Sequence, residues 1–267
     1  MTPPVLLVTG GSGLLGTAIR AHVAAHGGWE VVAPSHGEVD VCDPAAVSAA
    51  FNARRPAAVI HCAYVREDRA VNVDGARVVA RCAAAAGARL VHMSTDVVFA
   101  GRETPYTEDD APDPVHDYGR AKADAEREVM AAHAGAVMVR TSLMYGGADS
   151  APVRMVLDAA AGRTETAFFA DEFRSVAHVS DMAAAVVALA GMDVAGPLHV
   201  AGPEPVSRLD FARAVCRAHG LPETAVRGST LAQAGLSRPG NLVLDSSRAG
   251  SLGVPMPGAC GARLGTG

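Results

Sequence analysis

The sequence lacks several features that mark particular classes of protein. Lys and Arg number 23 against 28 Asp and Glu, and they form no basic block, so a nucleic-acid-binding surface is not indicated. No apolar run is long enough to span a bilayer, and the start, MTPPVLLVTGG, has no basic segment typical of a signal peptide. We therefore expect a cytoplasmic protein that binds neither nucleic acid nor a membrane.

Cysteine and histidine motifs are also missing. The five cysteines are widely spaced and include no C-x-x-C pair, which fits reduced thiols in a cytosol. The ten histidines form no H-E-x-x-H motif, and neither a Walker A sequence nor a G-x-S-x-G motif occurs. We assign no metal, and we expect the histidines in apolar runs to be structural: His61, His92 and His199.

Short valine-rich runs alternate along the chain with longer alanine-rich segments of helical character. The runs lie at 5–8, 30–33, 57–61, 89–93 and 136–140. They show little polar alternation, as expected for strands that helices cover on both faces. The pattern predicts an α/β fold of Rossmann type with a doubly wound parallel sheet.

Beyond the last of these runs the alternation loosens, and Gly and Pro become more frequent. We therefore expect a dinucleotide-binding Rossmann domain over residues 1–145. A smaller, irregular substrate-binding lobe would cover residues 146–267, with some segments returning to the Rossmann core. Helix starts are predicted at Asp43, Ser180 and Ser207, because their side chains can cap a first turn.

A glycine-rich segment, TGGSGLLG, follows the first predicted strand and opens a helix. Its glycines permit a tight turn, close approach of the backbone to a pyrophosphate, and tight packing of helix on strand. The unpaired N–H groups of the helix start favour phosphates. The position at the first strand–helix junction favours dinucleotide binding over a purely structural turn. The residues expected to contact the cofactor there are Gly10, Ser12, Gly13, Leu14, Leu15 and Gly16.

The second predicted strand continues into VVAPSHGE, where NAD-preferring sites usually place Asp or Glu about 20 residues beyond the glycines. No carboxylate is expected at this place, which removes repulsion against a 2′-phosphate, and we predict NADPH in preference to NADH. No arginine stands beside it to bind that phosphate, so the preference is modest. Ser35 and His36 are expected near the ribose, and Asp40 and Val41 near the adenine.

Tyr118 stands four residues before Lys122 in DPVHDYGRAKADAERE, a spacing that places both on one helix face. An ammonium near the phenol would lower the tyrosine pKa, and Tyr118 could then donate a proton to a carbonyl that is being reduced. The alternative is that Lys122 pairs with Glu126 and Tyr118 merely covers the helix start. LVHMSTDVVFAG favours catalysis, because an apolar strand ends there in polar residues 94–96, at the sheet edge where α/β folds bind ligands.

With these motifs in this order, the chain resembles the extended short-chain dehydrogenase/reductases, and within them the dTDP-4-dehydrorhamnose reductase branch. The resemblance runs from LLVTGGSGLLG through VHMSTDVVFAG and DYGRAKADAE to FRSVAHVSDMAAAV and RPGNLVLDSSRAGSLG, so it covers nearly the whole chain. The catalytic triad that it implies is Thr95, Tyr118 and Lys122. The further cofactor contacts that it implies are Cys62, Ala63, Tyr64, Thr141 and Leu143. The substrate contacts that it implies are Thr95, Asp96, Val97, Arg174 and Arg238.

The resemblance also bears on the substrate. Arg174, in FRSVAHVSD, matches a family position that often faces a nucleotide diphosphate, and Arg238, in SRPGN, is a second candidate. The alternative for either arginine is a solvated or carboxylate-paired side chain. Rhamnose reductases commonly have tyrosine at the position of Val97 and tryptophan at that of Leu143. The chemistry is therefore better indicated than the identity of the sugar.

We predict an NADPH-preferring ketoreductase that acts on a nucleotide-activated keto-deoxysugar or a related specialised metabolite. A reductase of a non-sugar ketone, or an epimerase of the same fold, is the enzymatic alternative. An alternative of another class is a non-catalytic, NADP-binding regulatory subunit, because the β subunit of methionine adenosyltransferase resembles this branch. The expected partners are a small nucleotide-linked substrate and, in the assembly, a second copy of the chain in a homodimer.

Overall fold

The computed structural model describes residues 2–261 and 264 of the chain. The strands in this part of the chain are Val5–Thr9 (β1), Glu30–Val32 (β2), Ala58–His61 (β3), Arg89–Thr95 (β4), Val137–Thr141 (β5), Met144–Tyr145 (β6), Ala167–Phe169 (β7), Phe173–Arg174 (β8), Ala177–His178 (β9), Gly196–His199 (β10), Val206–Ser207 (β11), Arg227–Ser229 (β12) and Asn241–Leu242 (β13). The α-helices are Leu14–His26 (α1), Pro44–Arg54 (α2), Ala76–Ala86 (α3), Asp117–Ala132 (α4), Ala151–Ala160 (α5), Val179–Ala190 (α6), Arg208–Ala218 (α7) and Ser247–Ser251 (α8). A π-helical turn at Ala70–Gly75 leads into α3, and 3-10 turns lie at Asp96–Val98 and Glu223–Ala225.

The central sheet of the described residues is parallel throughout and has the strand order β10-β5-β4-β3-β1-β2. From β1 the chain adds β2 on one side, and then β3, β4, β5 and β10 on the other. The direction of winding thus reverses between β1 and β3, where a crevice forms outside the carboxyl ends of the strands. The predicted α/β fold of Rossmann type is confirmed.

Alternation along the strands divides the core between the two faces of the sheet. Leu6 and Val8 pack with α1 and α6, whereas Leu7, Val59 and Leu90 pack with α2, α3 and α4. A fully buried leucine or valine contributes about 1.5–3 kcal/mol to folding. This two-sided burial explains why the strands lack polar alternation, and it holds α4 against the end of the sheet where polar side chains gather.

Two of the three predicted helix caps are confirmed. Asp43 and Ser207 each accept a hydrogen bond from a backbone N–H in the first turn of their helices, α2 and α7. The prediction for Ser180 is wrong, because α6 begins after His178, whose ring Nδ1 accepts from the N–H of Ser180 at 3.2 Å. His178 ends β9 in an extended conformation, so its imidazole already stands over the first turn and takes the role of the cap.

The segments that follow β5 are divided between two parts of the molecule. Strand β10 pairs with β5 in the central sheet, and α6 packs against α1. The sheet β11-β8-β13 and the pairs β12-β7 and β6-β9 form smaller units, and α5 and α7 pack together in a separate apolar cluster around Tyr145 and Phe211. A domain boundary at residue 145 stays a prediction.

Among residues 2–261 and 264, no helix is both long and apolar enough to cross a bilayer. The same residues include no group of three or more His, Cys, Asp or Glu side chains that could hold a metal ion. The five cysteines are free thiols.

Candidate active site

The glycine loop leads directly from β1 into α1. Gly10 has a φ of +68°, and a Cβ there would lie 2.8 Å from the backbone nitrogen of Ala63. A Cβ on Gly16 would lie 2.5 Å from the carbonyl oxygen of Gly10. Gly13 is the N-cap of α1 and brings no side chain to cap it, so the first-turn N–H groups remain for an outside acceptor. This arrangement fits the pyrophosphate of a dinucleotide cofactor.

A cavity of about 1650 Å³ opens at the carboxyl ends of β1, β3, β4 and β5. Sites for one small ligand commonly measure about 300–1,000 Å³, so there is room for a dinucleotide and a second ligand together. The sequence-predicted residues that line this cavity are Gly10, Gly13, Leu14, Leu15, Gly16, Cys62, Ala63, Tyr64, Thr95, Asp96, Val97, Tyr118, Lys122, Thr141, Leu143, Arg174 and Arg238. The structure thus gathers residues from nearly the whole chain around one space.

Five predicted cofactor residues lie away from the cavity wall: Ser12, Ser35, His36, Asp40 and Val41. A carboxylate oxygen of Asp40 accepts from the N–H of Cys42 (2.9 Å), and Val41 is buried in the apolar cluster beneath β1. Ser12 and His36 are exposed. That these residues contact the cofactor stays a prediction.

Contrary to the expectation from VVAPSHGE, a carboxylate does stand near the end of β2. Both the backbone N–H and the hydroxyl of Ser35 donate to Oε2 of Glu38, each at 2.7 Å. These hydrogen bonds hold the pKa of Glu38 below its usual value, so the group is ionised at neutral pH. The charge-based reason for preferring NADPH is therefore weakened, because loop curvature returns an acid that lies three residues beyond Ser35.

Lys122 lies on α4, one turn after Tyr118, and both line the cavity as the spacing predicts. It is the single lysine among the 23 Lys and Arg residues of the chain. Its buried Nζ donates to the carbonyl oxygen of Met93 (2.6 Å) and to Nε2 of His92 (3.3 Å). Burial lowers the pKa of Lys122 to about 8. The ammonium is thus bound to the end of β4.

The phenol of Tyr118 has a different charged neighbour from the one predicted. The guanidinium carbon of Arg66 lies 5.8 Å from the centre of the tyrosine ring. Burial raises the pKa of Tyr118, and the neighbouring Tyr64 and Asp96 raise it further, while Arg66 acts in the opposite direction. The prediction that Lys122 lowers this pKa is wrong in this structure, because the ammonium is held by β4. Tyr118 therefore keeps its proton throughout the neutral range.

Glu126, the alternative partner of Lys122, is engaged elsewhere. Its carboxylate accepts from Nε and Nη2 of Arg140, at 3.0 and 2.8 Å, and from the hydroxyl of Ser94 at 2.5 Å. All three side chains are buried. The network anchors the third turn of α4 to the ends of β4 and β5, and the predicted alternative of a Lys122–Glu126 pair is wrong.

Thr95 ends β4 at the cavity, where its hydroxyl donates to Oδ1 of Asp96 at 3.2 Å. The other carboxylate oxygen of Asp96 accepts from the hydroxyl of Ser142 at 2.6 Å and lies 3.6 Å from Nε of Arg174. Burial raises the pKa of Asp96, and these partners oppose the rise. Asp96 thus accepts the hydroxyl proton of Thr95 beside the cavity, a contact that the sequence did not indicate.

The two arginines predicted to face a diphosphate share one buried carboxylate. Glu172 accepts from Nη2 of Arg174 at 3.1 Å and from Nη2 of Arg238 at 2.5 Å. The Arg238 guanidinium also covers the ring of Phe169, 4.9 Å from its centre. Both arginines line the cavity, and both are carboxylate-paired, which is the alternative the sequence left open.

Another arginine that lines this cavity, Arg208, was not identified as a site residue from the sequence. It is the first residue of α7, and its side chain forms no hydrogen bond or ion pair with another described residue. Burial lowers its pKa, Glu172 opposes that change, and the nearby arginines reinforce it. A cation in the first turn of a helix also meets the positive end of the helix dipole. The signal that could have revealed it is this placement of a cation directly after the capping residue Ser207.

Known proteins match the chain over most of its length. The family model of the RmlD substrate binding domain matches residues 4–257. A dTDP-4-dehydrorhamnose reductase of Mycobacterium tuberculosis is 36% identical over 245 residues, which are 85% of this chain and 80% of that protein. Methionine adenosyltransferase 2 subunit beta of Pongo abelii is 30% identical over 276 residues, 93% of this chain and 82% of that protein.

Solved structures agree with these relationships. The dTDP-4-dehydrorhamnose reductase of Bacillus anthracis in complex with NADP has a TM-score of 0.89 at 25% identity, covering 100% of this chain and 98% of that chain. A dTDP-4-dehydrorhamnose reductase of Clostridium acetobutylicum has a TM-score of 0.88 at 25% identity, covering 98% and 97%. The chain therefore belongs to the extended short-chain dehydrogenase/reductases, in the dTDP-4-dehydrorhamnose reductase-like branch that carries the RmlD substrate binding domain.

Proposed function

We propose that the protein is an NAD(P)H-dependent ketoreductase that acts on a nucleotide-activated keto-deoxysugar, with Thr95, Tyr118 and Lys122 as its catalytic residues. The observation that carries this proposal is their presence with the glycine loop around one cavity large enough for two ligands. A nicotinamide cofactor bound along the loop would supply the hydride. Two observations support that binding. The start of α1 has no side-chain cap, and a Cβ added at Gly10 or Gly16 would clash with neighbouring backbone atoms.

Proton donation at the substrate carbonyl belongs to Tyr118. Its raised pKa keeps the phenol protonated, which is the form that reduction consumes. The hydroxyl of Thr95 donates its single proton to Asp96 in this structure, and in the reaction it would turn that proton to the oxyanion that develops as the carbonyl is reduced. Lys122 binds the cofactor ribose and supplies positive charge beneath the reaction centre.

Three arginines support a nucleotide-linked substrate. Arg174, Arg208 and Arg238 line the cavity, and the guanidinium of Arg238 covers the ring of Phe169 there. Guanidinium groups match the geometry of phosphate oxygens, and the diphosphate of a dTDP-sugar presents such oxygens. Arg208, which is not paired with a described carboxylate, is assigned the largest share of this recognition.

The sugar end of the cavity differs from the pattern expected of rhamnose reductases. Val97 and Leu143 line it where relatives of this branch commonly have tyrosine and tryptophan. Smaller side chains leave more room beside Thr95, which supports a keto-deoxysugar with a larger or differently oriented substituent. Reduction of a non-sugar ketone, and epimerisation, stay alternatives. Cytoplasmic location and a homodimer also stay predictions.

A second function is favoured by one specific observation. The 30% identity with methionine adenosyltransferase 2 subunit beta extends over 93% of this chain. A regulatory subunit would need the cavity for binding and would not need Tyr118 as an acid. The protein would then bind a nicotinamide cofactor and show no turnover.

The deciding experiment measures oxidation of NADPH and of NADH with a panel of dTDP-4-keto-6-deoxysugars and simple ketones. Turnover with a nucleotide-linked ketone and none with the free sugar supports the proposal. Turnover only with simple ketones would move the assignment to a non-sugar reductase. Cofactor binding without turnover on any member of the panel would favour the regulatory function.

A further inference from the structure

A line of buried polar side chains runs through the sheet beneath the cavity. Thr9, His61 and His92 occupy matched positions on the neighbouring strands β1, β3 and β4. The hydroxyl of Thr9 lies 2.7 Å from Nδ1 of His61, and the rings of His61 and His92 stack with centroids 5.3 Å apart. His92 reaches Lys122 at its Nε2. We refer to Thr9, His61 and His92 as the histidine ladder.

The ladder is an unfavourable choice for the interior of a sheet. Its side chains are 5%, 2% and 1% exposed. Nε2 of His61 and Nδ1 of His92 are buried without a hydrogen-bond partner among the described residues. Unsatisfied buried polar atoms destabilise a fold, and apolar strand residues would avoid that loss. Such a departure from local rules is typical of a functional site.

The contact with Lys122 defines the chemical state of His92. An ammonium group only donates hydrogen bonds, so Nε2 of His92 must accept, and the ring is neutral with its proton on Nδ1. Burial and the charge of Lys122 hold the pKa of His92 well below its usual value. The same two causes lower that of His61 to about 3. The ladder is therefore uncharged in the neutral range.

Other titratable groups near the ammonium do not replace His92 as its acceptor. Glu126, on the same helix, is bound by Arg140 and Ser94. Burial raises the pKa of the Cys62 thiol to about 12, so this group is also neutral. The partners of Nζ are thus the carbonyl oxygen of Met93 and the imidazole. Because an ammonium is tetrahedral, two fixed N–H directions determine the third.

We propose that His92, held in place by His61 and Thr9, is a positioning residue for Lys122, fixing its ammonium so that the remaining N–H is available to the cofactor cavity. This inference rests on the proposed role of Lys122 in binding the cofactor ribose. In this proposal the ladder orients the ammonium of Lys122, and the histidine rings themselves exchange no proton in the reaction.

The test uses the fact that Lys122 is the single lysine of the chain. Protein labelled with ¹⁵N at the lysine Nζ gives one side-chain signal, and its pH titration reports the Lys122 pKa without turnover. His92→Phe keeps an aromatic ring and removes the acceptor, whereas His92→Gln keeps an acceptor oxygen. His133→Gln, at the opposite end of α4, is the control. NADPH affinity is measured in parallel by fluorescence.

The wild-type signal is expected to titrate near 8, the value that burial gives Lys122. In His92→Phe the midpoint should fall by about one to two pH units, because the charged form loses a hydrogen-bond acceptor. His92→Gln should stay within about half a unit of the wild type, and NADPH affinity should fall in the Phe variant alone. Equal midpoints in the wild type, Phe and Gln variants would overturn the proposal.

If His92→Phe fails to fold, as thermal unfolding would reveal, His92→Leu provides a smaller variant without an acceptor, and the same criterion applies. The outcome is separable from that of the proposed function. If the Lys122 midpoint shifts in His92→Phe but the wild-type protein reduces no ketone, the positioning role of His92 is retained and the ketoreductase assignment is removed. If the wild-type protein reduces a ketone and the Lys122 midpoint is unchanged in His92→Phe, the ketoreductase assignment is retained and the positioning role of His92 is removed.

Discussion

Two helices begin at the same cavity, and they present positive charge to it in different ways. Helix α1 starts at Gly13, which carries no side chain, so the backbone N–H groups themselves face the cavity. Helix α7 starts after Ser207, whose hydroxyl accepts from the N–H of Asp210 at 2.9 Å. Its first-turn backbone is thereby partly satisfied, and the side chain of Arg208 supplies the charge.

The difference predicts that the two helix starts suit different anions. A backbone site requires the ligand to approach closely, which only glycines permit, and it binds a pyrophosphate in one orientation. A side-chain site reaches further and tolerates more variation in the ligand. In both helices the arrangement forgoes stability, since α1 lacks a cap and α7 carries a cation at its positive end.

The largest expected effect concerns the proton donation proposed for Tyr118 in the same cavity. Tyr118→Phe should lower kcat by about 10²- to 10⁴-fold, the range of general acid–base catalysis, because it removes the proton donor. Affinities for NADPH and for dTDP should stay unchanged, since neither helix start is altered. Stopped-flow hydride transfer and binding titrations measure both quantities.

The control for that variant is Tyr106→Phe, which removes a tyrosine hydroxyl outside the cavity, one that accepts from the N–H of Gly101 at 2.8 Å. It should reduce stability and leave turnover per folded molecule unchanged. Near-normal turnover in Tyr118→Phe would remove the acid–base assignment, and a parallel loss of NADPH binding would show that the hydroxyl serves the cofactor instead.

The next effect tests the backbone site at α1. Gly13→Asp places a capping carboxylate where the cofactor phosphates are expected, so NADPH affinity should fall by about 10- to 100-fold through loss of charge-assisted hydrogen bonds. The free energy of unfolding should change by no more than about 0.5 kcal/mol, because a cap on α1 offsets the crowding of the new Cβ, which lies 3.3 Å from the carbonyl oxygen of Gly10.

Gly13→Asn is the matched control, since it has the same shape without the charge. It should lose less affinity than Gly13→Asp. Fluorescence titration and thermal unfolding give the two measurements. If Asp and Asn behave alike, the loss comes from crowding, and the comparison of a backbone site with a side-chain site no longer holds for α1.

The third effect tests the side-chain site at α7. Arg208→Gln should weaken dTDP binding about tenfold, with thymidine unaffected, because a charge-assisted contact to phosphate is lost. Unfolding stability should stay equal or rise by about 0.3–1 kcal/mol, as a cation leaves the positive end of the helix. Calorimetric titration with dTDP measures the affinity, and thermal unfolding measures stability.

The control on the same helix is Arg213→Gln. The guanidinium of Arg213 lies 3.7 Å from the carboxylate of Asp210, and Arg213 does not line the cavity. This variant should bind dTDP like the wild type. Arg174→Gln should show a smaller loss than Arg208→Gln, because Glu172 already neutralises part of its charge. A larger loss in Arg174→Gln would return the main role to the arginine that the sequence motif selects.

The same comparison shows which parts of the site the sequence could predict. The five valine-rich runs became strands, and the spacing of Gly10, Gly13 and Gly16 located the loop, because both depend on local backbone requirements. Tyr118 and Lys122 share a helix face for an equally local reason. These features follow from the chain within a few residues of each position.

Contacts between distant segments could not be predicted in this way. Lys122, on helix α4, is bound by His92 of strand β4, which lies 30 residues earlier in the chain. Arg208 looks in sequence like a solvated helix residue, and its isolation depends on how α7 packs. One available signal was the single lysine among so many arginines, since an ammonium has a pKa that burial can bring near neutrality, whereas a guanidinium does not.

The smallest expected effect concerns cofactor choice at the end of β2, beside the backbone site. Glu38→Gln keeps an acceptor for Ser35 and removes the ionised carboxylate, so the ratio of NADPH affinity to NADH affinity should rise about two- to fivefold. The effect is small because Glu38 is exposed and solvent screens its charge, and it should shrink further at high salt. Glu30→Gln, an exposed acid at the other end of the same strand, is the control and should leave the ratio unchanged. Titration of both cofactors at low and high salt provides the measurement. An unchanged ratio in Glu38→Gln would mean that this carboxylate lies too far from the 2′-phosphate to influence it, and the preference would then have to come from backbone and hydroxyl groups that follow β2.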